Sequence, residues 1–167
     1  MKYSPPKIIA EIGCNHKGSM DIAFELIKLA KECGADVAKF QKRNSRELLS
    51  KEQYDSPHPN PHNSYGETYG AHREFLEFDL EKNKELMNYC NSIDIEYSTS
   101  VWDVTSANEI VLMNPKMIKV PSACNNHFDM LKILRDDYSG DVHISLGMTT
   151  PEEINEIISF FDKNDIL

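Results

Sequence analysis

Five times along the chain a short apolar run gives way to a longer segment whose apolar residues recur every three or four positions. The runs at 7–13 (KIIAEIG), 36–41 (DVAKFQ), 95–100 (IEYSTS), 116–122 (KMIKVPS) and 141–147 (DVHISLG) read as strands. The periodic segments at 20–34, 80–92, 105–113, 126–136 and 150–161 read as helices. In the first of them Ile22, Ala23, Leu26, Ile27 and Ala30 share a face, with Ser19 placed to cap the start and Gly34 to stop the end. Ser106 with Glu109, and Thr150 with Pro151 at N1 and Glu153 at N3, predict capped starts for two more. Strands separated by helices in this order pair in parallel, because each crossover returns the chain to the same end of the sheet. The fold class is α/β, and the periodicity alone is compatible with an open sheet or with part of a barrel.

One segment breaks the alternation. Residues 43–79 are polar, carry Pro57, Pro59 and Pro61, and offer helical pattern only near 45–53. So long an irregular insertion in a compact domain reads as functional.

Length and charge then narrow the partners. The chain has 167 residues, which is one ordinary domain, and its net charge of -9 repels nucleic acid and anionic lipid. An anionic small molecule can bind only where lysines gather. No stretch approaches the length of a spanning helix, and the N-terminus lacks the apolar core and cleavage site of a signal peptide. The prediction is a cytoplasmic protein with neither a nucleic-acid nor a membrane partner. Cys14, Cys33, Cys90 and Cys124 form no C-x-x-C pair, as expected of reduced thiols.

The polar residues at the strand ends carry the candidate chemistry. Glu11 ends the first strand, Lys39 and Gln41 the second, Ser98 and Thr99 the third, Lys119 and Ser122 the fourth, and Ser145 the fifth. In a parallel sheet these ends lie on one side, where α/β proteins bind ligands. Period two puts Lys39 and Gln41 on one face of their strand, with Ala38 and Phe40 on the other. Two lysines against one glutamate leave room for an anionic ligand, a carboxylate or phosphate. Taken singly, a strand-end lysine reads equally well as one that reaches water. His16 reads as a loop-bonding histidine. Prolines between His58 and His62 forbid the helix that would make them a metal pair. Cys124 reads as a small packed residue. No G-x-G-x-x-G, P-loop, H-E-x-x-H or G-x-S-x-G occurs.

"IIAEIGCNHKG", "GADVAKFQ", "YSTSVWD", "MIKVPSACNN" and "SLGMTT" closely resemble, in order, the strand-end motifs of the sialic acid (N-acetylneuraminate) synthase family. The resemblance covers the chain from Lys7 onward. It implies a parallel (β/α) barrel of TIM type, of which residues 1–167 are the N-terminal portion with about five of eight strand–helix units, the C-terminal antifreeze-like domain being absent. It further implies condensation of phosphoenolpyruvate with N-acetylmannosamine or a related N-acetylated hexose, giving a nonulosonic acid and phosphate. Carried over by motif, Glu11 resembles the catalytic glutamate, while Lys39, Gln41, Asn63, Thr99, Lys119 and Ser122 resemble substrate-binding residues; Asn63 is matched only by its spacing to "STS". The divalent metal (Mn or Mg) that the family implies has its histidine ligands beyond the fifth unit, so no metal ligand is assigned here and residues 1–167 alone are predicted inactive. Cys124 stands where the family often has an acidic residue. A sector with open first and fifth strands is expected to form homo-oligomers. The alternative from another class is a non-catalytic partial barrel that binds a ligand or oligomerises.

Overall fold

The computed structural model describes residues 5–161 of the chain, so the parts of the predicted 1–167 span at 1–4 and 162–167 lie outside the described residues. Five strands, β1 (Ile9–Gly13), β2 (Val37–Lys42), β3 (Glu96–Val101), β4 (Met117–Val120) and β5 (Asp141–Ile144), form one parallel sheet in the order β1-β2-β3-β4-β5. Each falls on an apolar run, with β1 starting two residues late, β4 ending two residues early and β5 three residues early.

The strand order settles what periodicity leaves open. A doubly wound sheet reverses its order at a switch point, whereas here every strand pairs with the one before it. Right-handed crossovers then put all the helices on one face. The arrangement is that of a (β/α) barrel of TIM type. Its helix side is the hydrophobic core: Phe40, Tyr97, Val101, Ile118 and Val120 are buried together with Ala23, Ile27, Leu86, Ile110 and Leu131. Each large side chain taken from water contributes about 1.5–3 kcal/mol.

The crossover helices are α1 (Met20–Glu32), α5 (Leu80–Ser92), α6 (Val104–Met113) and α7 (Phe128–Asp136), and α8 (Pro151–Phe161) follows β5. Ser19 caps α1 as predicted, its hydroxyl accepting from the Ile22 amide. The capping box at Thr150 and Glu153 is present in both directions. The predicted box at Ser106 and Glu109 is not formed. Helix α6 starts earlier, with Asp103 as its cap, because that buried carboxylate accepts from the Ser106 amide at 2.7 Å and from the Asn44 amide at 2.7 Å. Glu109 instead meets Lys42 at 2.8 Å.

The 43–79 insertion is more regular than its composition predicts. It holds three short helices, α2 (Ser45–Leu48), α3 (Lys51–Asp55) and α4 (Tyr69–Phe75), and a 3-10 turn at Pro61–Asn63. Every one starts at a side-chain cap: Asn44, Ser50, Asn60 and Thr68. The segment folds back over the β1–α1 loop, where Gly18 has φ +77° and a Cβ would stand 2.6 Å from the Phe75 carbonyl oxygen. No helix among the described residues is long and apolar enough to cross a membrane, and all four cysteines are free.

Candidate active site

Register in a parallel sheet aligns side chains across strands, so residues paired in register share a face. Glu11, Lys39, Ser98, Met117 and Asp141 form one row on the face opposite the core. Gln41, Ser100, Lys119 and His143 form the next row toward the C-terminal ends. Four of the predicted residues (Glu11, Lys39, Gln41 and Lys119) therefore stand on adjoining strands of one concave face.

Lys39 is 4% exposed, and its Nζ meets the Glu11 carboxylate at 2.5 Å. Glu11 itself is largely exposed, so this pair opens toward a ligand at the carboxylate end. Lys119 has no ion-pair partner among the described residues. Burial holds its ammonium below the ordinary lysine range, and the positive charge of Lys39 pushes in the same direction, with Glu11 opposing. Two cations thus face a single carboxylate, and an anion between them relieves the imbalance. The Gln41 Oε1 is buried without a hydrogen-bond partner among the described residues, which leaves it as an acceptor for a ligand.

The third strand sets one of the predicted residues apart from the others. Thr99 is in register with Phe40 and Ile118 on the helix side, and it is fully buried, so its side chain does not join Lys39 and Lys119. Ser100 takes that place, paired in register with Gln41 and Lys119, its Oγ lying 3.5 Å from the Lys39 Nζ. The signal was present in the sequence. Tyr97 is the large apolar residue of the run and must face the core, which sends Thr99 with it and turns Ser98 and Ser100 the other way. Ser122 opens a 3-10 turn just past β4 and is partly exposed at the same end of the sheet. Asn63 is exposed at the end of its own turn in the insertion.

The insertion walls the site on the β1–β2 side. Arg43, one residue past β2, donates from Nε to Glu77 Oε1 at 2.6 Å, from its amide to Oε2 at 3.1 Å, and from Nη2 to Cys14 Sγ at 2.6 Å. His16 is 2% exposed and stacks on Phe78 with centroids 4.0 Å apart, while its Nδ1 accepts from the Gly18 amide. The reading of His16 as a loop-bonding histidine holds. His58 packs against His72 at 4.2 Å rather than against His62.

Burial and the nearby Arg43 lower the His16 pKa to about 4 from 6.5. The folded state therefore keeps a neutral ring where the unfolded chain would take up a proton. That contribution is complete above about pH 6.5 and is lost as pH falls toward 4, as much as about 3 kcal/mol in all. Urea midpoints taken between pH 7 and 4 should drop accordingly, and a His16→Phe variant should lack that part of the slope. An equal slope in the variant would reject the assignment.

Among the described residues no group of three or more His, Cys, Asp or Glu side chains converges in a way that could hold a metal ion. The described side chains do not fit the metal that the resemblance implies.

The model of the NeuB family matches residues 26–166. The N-acetylneuraminate-9-phosphate synthase of Mus musculus is 40% identical over 128 residues, 77% of this chain and 35% of that one. The N,N'-diacetyllegionaminic acid synthase of Campylobacter jejuni is 29% identical over 94% of this chain and 47% of its own. The crystal structure of N-acetylneuraminic acid (sialic acid) synthetase from Leptospira borgpetersenii in complex with citrate superposes with a TM-score of 0.78 at 25% identity, covering 96% of this chain and 51% of that one. The chain thus spans about a third to a half of the length of these relatives.

Proposed function

From the premise that the chain belongs to the NeuB family, we propose that its residues form the N-terminal units of a synthase barrel that condenses phosphoenolpyruvate with an N-acetylated hexose. The reaction joins the methylene carbon of the enol to the carbonyl carbon of the sugar. Water enters, phosphate leaves, and the product is a nonulosonic acid. The observation that carries this reading is the pair Lys39 and Lys119 on one concave face, with Glu11 as the carboxylate they share among the described residues.

Each residue has a role that follows from its surroundings. Lys39 and Lys119 neutralise the carboxylate and phosphate of phosphoenolpyruvate, which holds the enol in place and stabilises departing phosphate. Ser100, Gln41 and Ser122 donate or accept at its oxygens. Glu11, exposed at the mouth and held by Lys39, contacts the sugar and manages the proton at the reacting carbonyl. A homo-oligomer in the cytoplasm, using a divalent metal held by residues outside this set, belongs to the same proposal. The relatives include both N-acetylneuraminate-9-phosphate and diacetyllegionaminic acid synthases, so the acceptor is N-acetylmannosamine, its phosphate or a diacetylated analogue.

A phosphate-release assay on the complete protein, with phosphoenolpyruvate and a panel of N-acetylated hexoses, tests the reading. Release that depends on one hexose is the expected result. Phosphoenolpyruvate binding without release for any acceptor would favour the alternative of a non-catalytic binding module. Glu11→Gln should leave phosphoenolpyruvate affinity intact while turnover falls about a hundredfold or more. Loss of binding with turnover per bound complex unchanged would reverse the assignment of Glu11 to the sugar.

A further inference from the structure

Past the β4–β5 ladder, whose last backbone bond runs from the Ser145 amide to the Val120 carbonyl, a buried side chain ties the two ends of the site together. Asn125, 5% exposed, follows the Ser122–Cys124 turn and donates from Nδ2 to the Ser145 carbonyl at 3.0 Å and to the Thr149 Oγ1 at 2.6 Å. The orientation of the amide is forced, because a backbone carbonyl can only accept. Thr149 in turn donates to the Gly147 carbonyl, so the 145–149 loop is closed on itself; the Ser145 amide ties its start to the Val120 carbonyl of β4 at 3.0 Å, and Asn125 ties its far end to the same side of the sheet. The two loops are in contact there: a Cβ on Gly147 would lie 3.4 Å from both Cβ and Oγ of Ser122.

The pinned loop is not one that the backbone adopts freely. Met148 has φ +59° and is 97% exposed, so a non-glycine residue sits in the left-handed region with no packing of its own side chain to hold it there. Such a conformation persists only where neighbouring bonds over-determine it. The Asn125 amide and the Thr149 hydroxyl supply such bonds beside the backbone ones from Thr149 to the Leu146 carbonyl and from Ser145 to the Val120 carbonyl.

We propose that Asn125 is a positioning residue of the anion site: with Ser145 already held to β4 through its own amide, the Asn125 amide sets how the 145–149 loop sits against Ser122, and so how closely that rim closes on the phosphoenolpyruvate oxygens. The proposal rests on the reading of the site given above. It predicts a loss specific to one substrate, since the hexose is assigned to the Glu11 end of the sheet. An aspartate at this position keeps the shape but sets a carboxylate oxygen against the Ser145 carbonyl, replacing attraction by repulsion.

The test is calorimetric binding of phosphoenolpyruvate to the full-length protein, followed by steady-state kinetics with each substrate varied. Asn125→Asp should raise the Kd and KM for phosphoenolpyruvate about tenfold, with the hexose KM unchanged. Wild-type protein that binds phosphoenolpyruvate, alongside a variant that binds it equally well, overturns the role of Asn125 and leaves the reading of the site standing. Wild-type protein that does not bind it overturns that reading, and this inference with it. Equal rises in both KM values would mean general loosening and would also overturn it. If Asn125→Asp does not fold, Thr149→Val decides. That variant should weaken phosphoenolpyruvate about threefold at an unchanged melting temperature, and unchanged affinity would reject the proposal.

Discussion

Replacing Lys119 by alanine is expected to weaken phosphoenolpyruvate binding by a factor of about 30 to several thousand, the equivalent of roughly 2–5 kcal/mol. The lysine has no carboxylate of its own among the described residues, so its charge is available to the ligand, and its loss leaves part of a dianion unpaired in a half-buried site. Lys39→Ala should cost a similar amount for a different balance of reasons. It removes the more deeply buried charge, and it also frees Glu11, whose exposed carboxylate would then repel the ligand. Isothermal titration of both variants is the direct measurement. Unchanged affinity in both would remove the anion site. The lowered Lys119 pKa adds a sign: in free protein this lysine gives up its proton earlier than an ordinary one as pH rises, so affinity should begin to fall below the usual lysine range.

The second large effect is on stability. Glu77→Ala should destabilise the fold by about 3–5 kcal/mol, because it leaves the Arg43 guanidinium, 8% exposed, without its carboxylate. Both Glu77 oxygens are used, one by the Arg43 Nε and one by its amide, so the pair joins the end of the insertion to the end of β2. Yet burial pushes the Glu77 carboxyl up in spite of Arg43, which shows how costly its desolvation is. A double replacement, Arg43→Met with Glu77→Leu, should therefore recover most of the loss. Urea midpoints of the single and double variants decide the matter. A single variant as stable as the wild type would mean that the pair contributes nothing.

The strands and crossover helices were legible because each is long enough for its period to show. The phase of β3 was harder to see: Ser98, Thr99 and Ser100 are alike in size and polarity, and only Tyr97 tells inside from outside. Two features depended on contacts distant in sequence. Asp103 outcompetes Ser106 as a cap because it also accepts the Asn44 amide from the insertion, which lies 59 positions away. The short helices of the insertion carry too few turns for an apolar stripe, and their order comes from caps and from packing such as Tyr65 on Phe75. Asn125 gave no signal at all, since its acceptors lie on the next strand's loop.

A sheet laid down in the order β1-β2-β3-β4-β5 also has a history on the ribosome. Every strand after β1 finds a ladder partner already synthesised, so none of these has to wait for later chain before its backbone groups are paired on one side. The long pause comes between Lys42 and Glu96, where the insertion and α5 must be made first, on the order of several seconds at ordinary elongation rates. During that interval β1 and β2 form a two-stranded pair with α1 against it, and the outer edge of β2 is open. The Arg43–Glu77 pair and the capped short helices are complete before β3 emerges. These parts can therefore form while the outer edge of β2 is still unpaired.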